Sequence, residues 1–189
     1  MSPAARLGTA PAPRELLAPL DGFYARAGRP PLELEPLPAA ALPEPARTLL
    51  VHHRDMTGTL ERHHGGTIHL RVLSGRQDGD SYWRESVLRL DGSERPVEFG
   101  AIHIHLDRFP EAARAQILEE HRPLGGILNA GGIPYSSRPA GYFRVAADPF
   151  IAEALGARPG ERLHGRRDTL RNAAGEPLAE IVEILAPAR

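Results

Sequence analysis

The sequence predicts an α+β fold, a single antiparallel sheet of about six strands accompanied by a few short helices. Three observations carry that expectation. Segments of seven to ten residues alternate apolar and polar side chains, as in Thr67 to Leu73 with Ile68, Leu70 and Val72 on one side. Turn residues stand between such segments, Asp91-Gly92 after Tyr82 to Leu90 and Asn172 to Gly175 between Leu163–Leu170 and Leu178–Leu185. The helical patterns are short and capped, so none alternates with strands often enough to build a parallel sheet.

In chain order, residues 1–45 form a Pro/Ala-rich arm broken at Pro30-Pro31, Pro36 and Pro38. One apolar segment in it, Leu16 to Leu20 with Phe23 and Tyr24, is suited to dock on the body, residues 46–189. Leu49-Leu50-Val51 is a short apolar lead-in. Asp55 caps a helix through Met56 and Leu60 that Gly65-Gly66 ends. After the strand at 67–73 a polar loop, Ser74 to Ser81, leads to Tyr82–Leu90, whose antiparallel partner is Val97 to Leu106. Pro110 opens a helix from Glu111 to Glu120, a glycine-rich connection spans Pro123 to Gly132, and Tyr142 to Val145 is a strand. Asp148-Pro149 starts a short helix that Gly156 stops, and the last hairpin follows.

Composition bounds the chemistry. In 189 residues, 23 basic and 24 acidic side chains leave a net charge of -1, which gives no general electrostatic reason for nucleic acid or an anionic membrane as partner. There is no cysteine, so disulfides, thiolate metal sites and thiol catalysis are excluded. No apolar run reaches membrane-spanning length and no signal pattern opens the chain, so a cytoplasmic location is expected.

Two charged residues sit on otherwise apolar strand faces. Arg84 shares a face with Ser86, Leu88 and Leu90, and a guanidinium there needs an anion, either a carboxylate of this chain or one from a ligand. Glu183 lies among Ala179, Ile181 and Leu185, with Arg84 the first candidate partner and Arg166 and Arg167 the next. A structural Arg84–Glu183 ion pair and a ligand site both satisfy these residues. The histidine pairs His52-His53, His63-His64 and His103/His105 lack the convergent third ligand that zinc needs, so no metal is expected, with His103 and His105 outward or half-exposed. Leu124-Gly125-Gly126-Ile127 lacks the Lys-Ser/Thr end of a phosphate loop.

Asp55-Met56-Thr57 with Leu60-Glu61, Tyr82-Trp83-Arg84-Glu85 before Asp91-Gly92, Pro123-Leu124-Gly125, His164-Gly165-Arg166-Arg167, and Pro177-Leu178 to Glu183 together resemble the chorismate pyruvate-lyase family. They occur in the family's order over about residues 46–187. The resemblance implies helical flaps over an internal cavity and a cofactor-independent elimination of pyruvate from chorismate, or a close analogue, to give 4-hydroxybenzoate. It implies that Arg84 clasps a carboxylate, Glu183 meets the ring hydroxyl, Leu124 with Gly125 holds the carboxylate end, and Met56 lines the cavity. The match slips by one residue in the last strand, which makes Glu180 the alternative to Glu183. The expected partner is a chorismate-like small molecule, without nucleic acid, membrane, metal or cofactor. The second reading is a non-catalytic sensor module of the same fold that binds a small aromatic carboxylate. A sensor would be expected to carry a DNA-binding part, for which the sequence leaves no room, and this favours the enzyme.

Overall fold

The structure is a computed structural model that describes residues 12–188; the first eleven residues of the arm lie outside the described residues. From the N-terminus the elements are α1 (Pro13–Leu17), α2 (Leu20–Arg26), β1 (Leu34–Leu37), α3 (Ala46–Leu50), α4 (Met56–His64), β2 (Ile68–Asp78), β3 (Ser81–Leu90) and β4 (Pro96–His105). Then follow α5 (Glu111–Leu118), α6 (Leu124–Ala130), β5 (Ser136–Ala146), α7 (Pro149–Leu155), β6 (Arg162–Arg171) and β7 (Pro177–Leu185). The strands make one seven-stranded sheet in the order β1-β5-β6-β7-β4-β3-β2, antiparallel at every pairing. The expected architecture is therefore the observed one, with an additional strand: β1, from the proline-rich region, pairs with β5.

Strand alternation divides the core between the two faces of the sheet. On one face Val87, Phe99, Ala101, Phe143, Val182 and Ile184 pack against α1, α2 and α7. The apolar residues of α1 and α2 dock as their composition predicts, with Leu16, Leu17, Leu20, Phe23 and Tyr24 all buried there. The other face is covered in two parts. Ile102, Ile104 and Ala179 meet α5 and α6, whereas Leu70, Leu88, Leu90 and Leu185 meet α3 and α4. A gap between these two apolar clusters is where polar residues reach the interior.

Three local expectations change. The segment Ser74 to Ser81 is not a loop, because β2 runs to Asp78 and pairs with β3 through Asp78↔Ser81. Its outer half is exposed on both faces, so no alternation marks it in the sequence. The glycine-rich connection is helix α6, whose Leu124, Ile127 and Leu128 form a buried stripe at helical spacing. Gly125 is required there by close packing on α4, since a Cβ would lie 2.9 Å from Asp55 Oδ1 and 3.0 Å from Asp55 Cβ. Leu49-Leu50 belong to the short helix α3, with Leu50 fully buried. The capped helices match their signals. Asp55 accepts from the Gly58 amide (2.7 Å) and Gly65 closes α4 at φ 67°, while Asp148 and Gly156 bracket α7 in the same way.

Candidate functional site

The register of the central strands lays out a polar floor. One row across the sheet is Arg84 (β3), Ile102 (β4), Ile181 (β7) and Asp168 (β6). The next row is Ser86, Gly100, Glu183 and Arg166, and a third is Leu88, Glu98 and Leu185. Ser86 and Gly100 are small, so the middle of the second row leaves a hollow in the apolar face. The first turns of α4 and α6 roof it with Asp55, Met56, Thr57, Leu124 and Gly125, around a free space of about 60 Å³. Arg84, Glu183, Met56, Leu124 and Gly125 thus line a single cavity. Glu180 does not, because it projects from the opposite face of β7, where it meets His103 and His105.

The ion pairing is not the one that the isolated residues made plausible. Arg84 and Glu183 sit two strands apart and two residues out of register, which places their Cα atoms about 12 Å from each other. Glu183 instead accepts a hydrogen bond from Arg166 Nε, and Arg166 also reaches Asp168 Oδ2 at 3.2 Å. Arg166 has no exposed surface. Burial opposes its charge, but the adjoining Glu183 and Asp168 carboxylates outweigh that effect and hold its pKa above the ordinary arginine value. It also donates to the carbonyls of Leu50 (3.0 Å), His52 (3.3 Å) and Arg54 (3.4 Å), and so fastens the α3–α4 connection to the sheet. His52, half-buried against this guanidinium, has its pKa lowered to about 4 by desolvation and by the Arg166 charge.

Arg84 has no ion-pair partner among the described residues. It is 2 % exposed, and its Nε and Nη1 atoms have no hydrogen-bond partner among the described residues. Burial pulls its pKa down, with Tyr82 and Glu120 opposing. The Glu120 carboxylate is itself engaged by the Tyr82 hydroxyl. A guanidinium stays protonated even when buried, so Arg84 is a charge held out of water with donors unspent.

Glu98 is the group that sequence reasoning passed over. It lies on the cavity floor, is 4 % exposed, and its Oε2 has no partner among the described residues. Its only sequence signal is a carboxylate between Val97 and Phe99, which reads equally well as an outward side chain. Burial first, then the Glu183 charge, push its pKa well above the ordinary carboxylate range, and Arg166 only partly offsets them. Glu183 is pushed up by burial too, with Arg166 opposing. Since Glu183 holds the Arg166 contact, Glu98 is the carboxyl of the two whose neutral form burial favours more strongly.

A folded-state pKa above the unfolded one contributes stability that is complete below about pH 4.5 and lost as pH rises through the folded value. Replacing Glu98 with Gln, which cannot titrate, is expected to flatten the decline in unfolding free energy between pH 5 and 8. Each unit by which the folded pKa is raised corresponds to about 1.4 kcal/mol. Urea titrations of both proteins across that range provide the check, and identical slopes would place the proton elsewhere.

Comparison with known proteins extends the fold only. No family model and no curated protein matches the sequence. Among solved structures, PhnF from Mycobacterium smegmatis matches with a TM-score of 0.56 at 12% identity, over 72% of this chain and 65% of PhnF. The effector domain of the same protein gives 0.54 at 13% identity, over 72% of this chain and 90% of that domain. The ligand-binding domain of a Bordetella bronchiseptica protein assigned to the GntR family of transcriptional regulators gives 0.48 at 16% identity, over 66% and 85%. The expectation of a carbon–oxygen lyase is thereby overturned, since what shares this architecture is PhnF and its effector domain, and neither is a lyase. Among the described residues no helix is long and apolar enough to cross a membrane. The chain shares the fold of the PhnF effector domain.

Proposed function

We propose that this chain is a non-catalytic, sensor-type module that binds a compact aromatic carboxylate in the cavity between the sheet and the first turns of α4 and α6. The observation that carries the reading is Arg84, a buried guanidinium on the cavity floor with two donor atoms unpartnered and no carboxylate of the described chain to receive them. A planar carboxylate matches the paired donors of a guanidinium. Glu98, protonated, would donate to the far end of the ligand, and Leu88, Ile102 and Met56 would contact its apolar body. The free space of about 60 Å³ is well under the ~300–1,000 Å³ of pockets that take drug-sized molecules, which favours a small occupant. Glu183 in this reading is a structural partner of Arg166, holding the floor in place, and Leu124 with Gly125 forms the roof. The effector-domain architecture of PhnF supports sensing over turnover.

The test is a calorimetric and thermal-shift titration with 4-hydroxybenzoate, for the parent chain and for Arg84→Gln. Binding to the parent is expected, with a stabilisation near 2.7 kcal/mol once ligand reaches about a hundred times its Kd. Arg84→Gln should weaken affinity about 10- to 100-fold, the worth of a charge-assisted hydrogen bond. The variant should be at least as stable as the parent without ligand, because a buried unpaired charge has been removed. Equal affinity in both proteins, or no binding to the parent, would sink the proposal.

A further inference from the structure

The side of the sheet opposite the cavity carries a second cluster. Strand geometry puts His103 and His105, two apart on β4, on the same face, and the β4–β7 register sets Glu180 directly across from His103. Glu180 Oε2 lies 3.3 Å from His103 Nδ1 and 3.0 Å from His105 Nε2, and the three donor atoms all fall within 4.8 Å of one another. We propose that His103, His105 and Glu180 form a binding site for a divalent first-row transition-metal ion, of which zinc is the reference case.

The spacing fits the chemistry. Metal–nitrogen and metal–oxygen bonds of about 2.0–2.2 Å in a tetrahedral arrangement place neighbouring ligand atoms roughly 3.3 Å apart, so an ion can enter with small side-chain adjustments. Two imidazoles with one carboxylate suit zinc, nickel, cobalt or copper rather than magnesium or calcium, which prefer all-oxygen shells. The three side chains are each about one-fifth exposed, 21% for His103, 20% for His105 and 24% for Glu180. Solvent therefore reaches the position a fourth ligand would take, as in open zinc sites with three protein ligands.

The surroundings fix the ligands in place. His103 Nε2 is 3.1 Å from Ser81 Oγ, an outer contact that presents Nδ1 towards Glu180 when the ring nitrogen is the donor. The same ring is stacked on Trp83 with centroids 4.5 Å apart and planes 6° from parallel, and Arg76 lies over the far side of Trp83 at 4.2 Å. Arg167 on β6 feels the Glu180 charge and is the cation that an incoming ion must tolerate. The histidine pair alone lacked a third ligand in the sequence; strand pairing supplies it from 75 residues further along the chain. An ion there would tie β4 to β7, the two strands whose other faces bear Glu98, Gly100 and Glu183.

The experiment uses the full chain stripped with a chelator and titrated with cobalt(II), followed by competition with zinc(II). Visible d–d absorption saturating at one equivalent and displaced by zinc is expected for the parent. It should be abolished in His103→Ala/His105→Ala, weakened about 10-fold or more in Ser81→Ala through loss of the outer contact, and unchanged in His63→Ala/His64→Ala. Glu180→Gln, which keeps the side-chain shape, should also lose the signal and serves if the double variant does not fold. Absence of one-equivalent binding by the parent, or equal binding by Glu180→Gln or the folded double variant, would overturn the proposal and leave the three side chains as a hydrogen-bonded cluster only.

Discussion

Replacing Arg166 with Ala is expected to remove about 3–5 kcal/mol of stability. The substitution leaves Glu183 and Asp168 buried without their cation, and releases the carbonyls of Leu50, His52 and Arg54 from their donor. A domain of this size holds only about 5–15 kcal/mol in total, so the variant would stand close to its unfolding limit at room temperature. The deficit should shrink as pH falls, because burial already raises the Glu183 pKa and loss of Arg166 raises it further, so that protonation removes a charge that Arg166 compensated. Adding Glu183→Gln and Asp168→Asn to the variant should recover part of the loss at neutral pH. Urea unfolding at pH 7 and pH 4.5 measures both effects, and a deficit under 1 kcal/mol at pH 7 would show that the network is dispensable.

Gly165→Ala is expected to cost about 3 kcal/mol, at the upper end for overpacking a core. Gly165 lies on β6 between Phe143 of β5 and Ile184 of β7. A Cβ at this position would stand 2.5 Å from the Glu183 carbonyl oxygen and 2.6 Å from Phe143 Cζ. The first is backbone of a central strand and the second belongs to a ring with no exposed surface, so neither yields cheaply. Displacing β7 here also moves Glu183 away from Arg166, and the two losses should not add independently in a double-variant cycle. Gly126→Ala is the matched control. Nothing lies within 4 Å of a Cβ there and the residue is inside α6, so a gain of up to about 1 kcal/mol is expected from helix propensity and reduced unfolded-state freedom. Thermal and denaturant unfolding of the two variants distinguishes packing at Gly165 from a general intolerance of glycine replacement.

Much of the architecture is legible in local chemistry because its signals are short-range. The hairpin from Tyr82 through Asp91-Gly92, the helix between Asp55 and Gly65, and the helix between Asp148 and Gly156 are each specified by residues within a dozen positions of one another. Where local chemistry was silent, the element was missed. The outer half of β2 is a two-sided exposed ribbon without alternation, and α6 carries Gly125, which its contact with Asp55 explains. The presence of Arg84 and Glu183 on apolar strand faces was readable as charge in the wrong solvent. Their partners were not, because pairing across a sheet depends on strand order and register. The order β6-β7-β4-β3 hands Glu183 to Arg166, interposes Gly100 between Glu183 and Ser86, and sets Glu180 against His103 on the reverse side. By itself the sequence determined that Arg84 and Glu183 stand on apolar strand faces. Only the tertiary structure decided that Glu183 is satisfied by Arg166 while Arg84 keeps two donor atoms unpartnered among the described residues, since an ion pair forms by distance in space and the sequence records only distance along the chain.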